Sequence, residues 1–218
     1  MTVDPLLSPA LALSVDDSVA DALDRFADEA LATLPVVDDS GALVAVVSET
    51  ALLDHPDARA HLSTLGLYGA PLSVTPDTHV FDAAQLLREH GLAAVPVAME
   101  DGTYVGLVTR RDVFAQLAHM LATEETGAII VAEVGRHDVS LAQMAHLVEG
   151  SGVRILSIST EDDAATGHVR ITLKLNVADT SRVRHLLAHH GIKVVAVFDE
   201  AESDLEARAA EFIRYLEV

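Results

Sequence analysis

Leu13-Ser14-Val15-Asp16-Asp17-Ser18-Val19-Ala20-Asp21-Ala22 is echoed by Leu72-Ser73-Val74-Thr75-Pro76-Asp77-Thr78-His79-Val80-Phe81-Asp82-Ala83. The echo continues downstream. Leu34-Pro35-Val36-Val37 matches Val95-Pro96-Val97-Ala98, and Gly41-Ala42-Leu43-Val44-Ala45-Val46-Val47-Ser48 matches Gly102-Thr103-Tyr104-Val105-Gly106-Leu107-Val108-Thr109, at an offset that drifts from 59 to 61 residues. Self-similarity of this kind marks one supersecondary unit written twice. Residues 19–32 and 80–90 carry apolar positions three and four apart after Asp/Ser/Thr-rich starts, which predicts helices. Val36-Val37 and residues 43–47 flank the turn Asp38-Asp39-Ser40-Gly41, a hairpin signature that recurs around Glu100-Asp101-Gly102. A further helix follows Ser48 and Thr109, so each copy reads strand, helix, strand, strand, helix.

A different cycle begins after Glu124-Glu125-Thr126-Gly127, where the composition shifts. Residues 128–134 predict an apolar strand, 140–149 an amphipathic helix and 153–159 a second strand. Glu161-Asp162-Asp163 reads as an acidic loop. Residues 168–176 then alternate, with Val169, Ile171, Leu173 and Leu175 on one face; residues 180–190 predict a helix stopped by Gly191, and 192–198 a last strand. This βαββαβ order is the split βαβ, ferredoxin-like plan. Residues 204–216 carry a stripe of Leu205, Ala209, Phe212, Ile213 and Leu216 that predicts a closing amphipathic helix.

The duplicated stretch resembles a tandem pair of cystathionine-β-synthase (CBS) motifs, most closely in Gly106-Leu107-Val108-Thr109-Arg110-Arg111-Asp112. The fold class expected is therefore mixed α+β and α/β. A tandem CBS pair (Bateman module) occupies residues 1–122, with copies at about 6–56 and 66–120; an ACT-like domain follows at 127–200 and a C-terminal helix at 201–218. The family resemblance implies a non-catalytic regulatory protein that binds an adenosine-containing ligand such as AMP, ADP, ATP or S-adenosylmethionine, with no required cofactor. Gly106 would let the ligand approach the strand, Thr109 would offer a hydroxyl, and Asp112 would accept the ribose hydroxyls. The adenine would lie near Ser73, Val74, Ala93, Ala94 and Val95. Thr-x-x-Asp before an apolar run is equally a capping box, in which both side chains serve the helix end. Arg110 and Arg111 in the first turn oppose the helix dipole, which suits a bound phosphate. Copy one has Ala51 where copy two has Asp112, so one competent site per chain is expected.

The second domain is similar to an ACT domain in Val139-Ser140-Leu141-Ala142 and in Ser151-Gly152-Val153-Arg154-Ile155-Leu156-Ser157-Ile158. That likeness implies an amino-acid site at His137, Asp138 and Ser140. Ser140 stands where the family typically has Gly, so a structural and dimerising role stands beside the ligand role. The order CBS, CBS, ACT resembles acetoin-utilisation-type CBS proteins. Two other functions stay open: a constitutive dimerising subunit with a vestigial cleft, and an amino-acid sensor.

The charge is lopsided, with 34 Asp plus Glu against 14 Lys plus Arg, a net charge of -20, and Lys174 and Lys193 as the only lysines. Such a surface repels nucleic-acid phosphates and anionic lipid, which excludes both as partners. It also suits a halophilic protein working in concentrated salt, where self-repulsion is screened. There is no Cys for a disulfide or thiolate site. His185 and His189 lie four apart, but two imidazoles do not close a metal site, and the sequence reads as a solvated helix face. No nucleophile elbow or P-loop is present. The expectation is a soluble cytoplasmic homodimer with an unknown regulated partner.

Overall fold

The computed structural model describes residues 1–8, 12–29, 31–66, 71–135, 140–163 and 167–198. The chain divides into two units, Met1–Leu117 and Ala118–Val218.

Copy one consists of β1 (Leu13–Ser14), α1 (Val19–Glu29), β2 (Thr33–Val37), β3 (Leu43–Ser48) and α2 (Glu49–Leu53). Its sheet runs β1-β2-β3, with β1 parallel and β3 antiparallel to β2. Pro35 lies in the central strand, where a missing N–H ordinarily breaks a ladder. Here β1 pairs only with Val36 and Val37 and does not extend to it. Copy two repeats the plan with α3 (Val80–Glu89), β4 (Ala94–Ala98), β5 (Tyr104–Thr109) and α4 (Arg110–Met120). Its leading strand has shrunk to a single parallel bridge, Val74 with Val97. Because Leu13 faces Val36 as Val74 faces Val97, the structural offset inside the copies is 61, and the 59-residue match of Leu13 to Leu72 is one of residue types only. The buried helix positions agree: Val19, Ala22 and Phe26 correspond to Val80, Ala83 and Leu87.

Neither copy closes its core alone. Val3 is fully buried among Val74, Val80, Val95 and Val108 of copy two, with Leu6 and Leu7 packed beside it. The backbone follows suit: Val3 N donates to Thr78 O, Asp4 N to Pro76 O, and Ser8 exchanges hydrogen bonds with Leu107. Residues 58–65, which lead into copy two, do the same for copy one. Leu62 is 1% exposed in its core, and its N–H donates to Asp17 O. The two copies exchange their leading arms.

The second unit contains β6 (Ile129–Gly135), α5 (Leu141–Gly150), β7 (Ile155–Asp163), β8 (His168–Leu175), α6 (Ser181–His189) and β9 (Lys193–Phe198). The sheet order β7-β8-β6-β9, antiparallel throughout, is the ferredoxin-like arrangement. Ile130, Ala132 and Val134 of β6 and Ile171, Leu173 and Leu175 of β8 meet Met144, Val148, Val183 and Leu187 from the two helices. Glu161-Asp162-Asp163 corrects the sequence expectation of a loop. These residues continue β7 and pair with Arg170, Val169 and His168, because edge strands accept charge on an exposed face and Arg170 lies 3.6 Å from Glu161. On the same sheet, Lys193 donates to Glu133 at 2.7 Å and holds that carboxyl below the usual carboxylate range. The expected helix at 201–218 lies outside the described residues.

Candidate functional site

The two hairpins of the first unit meet end to end. Ala42 bridges Thr103, Leu43 N donates to Gly102 O, and Tyr104 N donates to Gly41 O. A cavity of about 750 Å³ lies beside this seam. Val36, Leu43 and Ala45 of copy one and Ala98 and Met99 of copy two supply apolar wall, while Ser63, Ser73 and Glu100 contribute polar groups. Such a volume, mostly apolar with few polar groups, is what a small organic ligand needs. No Lys or Arg is among its described lining residues. Tyr104 stands at the seam with a buried Oη that has no hydrogen-bond partner among the described residues, and burial pushes its phenol up to about 12.

Of the residues singled out from the sequence for adenosine, Ser73 lines this cavity. Val74, Ala94 and Val95 are buried in the copy-two core beside it, and Ala93 accepts from Arg110 N. Thr109 and Asp112 lie outside the lining and form the capping box. Thr109 N and Oγ1 both donate to Asp112 Oδ2, at 3.2 and 2.5 Å, and Asp112 N donates to Thr109 Oγ1. The cap engages one carboxylate oxygen, and Oδ1 has no hydrogen-bond partner among the described residues. In copy one the same turn is simpler, with Ser48 Oγ accepting from Ala51 N.

Gly106 is small for a reason within the chain: a Cβ there would meet Ser8 O at 3.0 Å and the Leu7 side chain at 3.3 Å. Arg110 also has a structural task, donating through Nε and Nη2 to Leu92 O at 3.0 and 2.5 Å. Arg111 is exposed and makes no hydrogen bond or ion pair among the described residues. In the second unit Ser140 is the N-cap of α5, accepting from Gln143 N at 3.2 Å; His137 and Asp138 lie outside the described residues. Sequence reasoning missed Leu43, Met99 and Glu100, whose only signal was the paired hairpin turns. No group of three His, Cys, Asp or Glu among the described residues could hold a metal ion, and no described helix is long and apolar enough to cross a membrane.

Residues 3–57 and 70–119 match the family described as the CBS domain. The A-adding tRNA nucleotidyltransferase of Aquifex aeolicus (strain VF5) is 34% identical over 114 residues, 50% of this chain and 13% of that protein. The chain spans between 13% and 32% of the length of that enzyme and the inosine-5'-monophosphate dehydrogenases it also resembles. Among solved structures, a CBS domain pair/ACT domain protein from Thermotoga maritima is 23% identical at a TM-score of 0.50, covering 56% of this chain and 99% of that one. CBSX2, from Arabidopsis thaliana, crystallised in complex with AMP, is 29% identical at a TM-score of 0.47, covering 54% and 96%.

Proposed function

We propose that this chain, whose residues 3–57 and 70–119 match the CBS domain, is a non-catalytic regulatory sensor that binds an adenosine-containing ligand between the two copies. The observation that carries the reading is the cavity of about 750 Å³ built by both of them. Ligand filling it would fasten one hairpin to the other and alter what the pair presents to a partner. Ser73 and Glu100 supply hydroxyl and carboxylate for ribose; the open Oδ1 of Asp112 supplies a second candidate for the same role.

Calorimetry with AMP, ATP and S-adenosylmethionine tests the reading, with one ligand per chain expected. Ser73 is exposed, so Ser73→Phe should fill the cavity without disturbing the core and abolish binding there. Asp112→Asn keeps a cap acceptor but removes the charge; if Asp112 holds the ribose, affinity should fall by about 1.5–3 kcal/mol. Ala51→Asp should change little. Absence of binding by every adenosine compound, or binding indifferent to both Ser73→Phe and Asp112→Asn, overturns the proposal.

The proposal extends to assembly. The ferredoxin-like topology supports reading the second unit as an ACT domain that contributes to a homodimer, and the charge of -20 makes association and folding salt-dependent. Molar KCl shortens the Debye length from about 10 Å to about 3 Å. Light scattering should show the dimer strengthening and the melting temperature rising along that series. A monomer in molar KCl rejects the dimer, and a flat melting temperature rejects adaptation to salt.

A further inference from the structure

A groove of about 590 Å³ runs between α5 and α6 of the second unit. His146 lines it from α5, and Arg182, His185 and His189 from α6, with the buried Ser151 also in its lining. We propose that this groove is a binding site for a small multivalent anion bearing phosphate or carboxylate groups.

The argument is one of charge distribution. In a chain of net charge -20, Lys193 sits on Glu133, Arg170 on Glu161 and Arg88 on Glu89, while Arg111 is unpaired among the described residues, so what sets the groove apart is a lining that holds cations and no carboxylate. Arg182 and the three groove imidazoles make no ion pair among the described residues. The sequence of α6, Ser-Arg-Val-Arg-His-Leu-Leu-Ala-His, contains no carboxylate. On α5 the only one is Glu149, which does not line the groove. Asp179, before α6, is engaged by Ser181 N at 2.9 Å.

A metal is not the occupant, because the imidazoles do not converge into a metal-holding group. What lines it is a set of N–H donors around a space of small-molecule size, a composition suited to a phosphate or a polycarboxylate. Arg182 supplies a fixed positive charge, and the three imidazoles add further donors. The site is thus an anion receptor carried by the second unit alone.

Titration of the full chain with inorganic phosphate and with citrate, at constant ionic strength and against KCl as reference, tests this. Affinity should fall about tenfold in the double variant Arg182→Gln, His185→Gln. Both positions are exposed and glutamine is a good helix former, so the fold should persist. Arg59→Gln, an exposed change in the first unit, should leave binding intact. The two ligands separate phosphate from carboxylate preference. Equal affinity in the double variant, or no heat beyond that of KCl, overturns the site.

Discussion

Replacing Val3 by Asp should destabilise the first unit by about 3–5 kcal/mol, since it places an unpaired charge in a core with no compensating group. Val3 has no accessible surface and touches a cluster made almost wholly of copy-two residues. Its arm is also held by backbone hydrogen bonds to Thr78 and to Leu107 of β5, so a displaced side chain would disturb the turn before α3 and the edge of β5 with it. Leu62→Asp, the equivalent change in the other arm, should act on copy one by a similar amount. Asp4→Asn, on an exposed neighbour, is the control. Urea denaturation measures all three. Val3→Asp within about 1 kcal/mol of the parent would mean that the arm is ornamental.

Gly127→Ala should be nearly as damaging. At φ +144 the position is strained for any L side chain, and a Cβ there would sit 1.9 Å from Leu175 O. That carbonyl belongs to β8, whose Leu175 N donates to Ala128 O next door. The methyl would have to push the central strands apart, costing about 3–5 kcal/mol from backbone strain and overpacking together. Gly152→Ala is the useful contrast: it also has positive φ, +86, but nothing lies within 4 Å, so about 1–2 kcal/mol of strain is all it should cost. Equal losses at the two glycines, measured by thermal unfolding, would show that space plays no part.

What could be read in the sequence was what local chemistry controls. The spacing of Val19, Ala22 and Phe26 and of Val80, Ala83 and Leu87 specifies a buried helix stripe, and the Asp-Gly turns specify hairpins. Thr109 and Asp112 were legible for the same reason, being three residues apart, and the structure forms the cap. The arms were not legible. Val3 and Leu62 are lone apolar residues in short irregular segments, and their burial depends on chain that lies 71 or 45 positions away, such as Val74 and Asp17. The cavity escaped for a related reason, because Leu43 and Glu100 acquire meaning only when two hairpins meet. In Glu161-Asp162-Asp163, polarity suggested a loop where partners across an edge strand decided otherwise. Gly127 had looked like punctuation, and its role rests on a carbonyl 48 residues downstream.

The exchanged arms bear on how such a duplication holds together. One copy on its own is a sheet lacking an arm and an arm lacking a sheet, so two free copies would complete each other only by meeting, at a rate and yield set by their concentration. Joining them in one polypeptide makes that meeting intramolecular, with an effective concentration set by the short connection between residues 53 and 58. The pair then behaves as one cooperative body whose halves cannot be inherited, lost or unfolded separately.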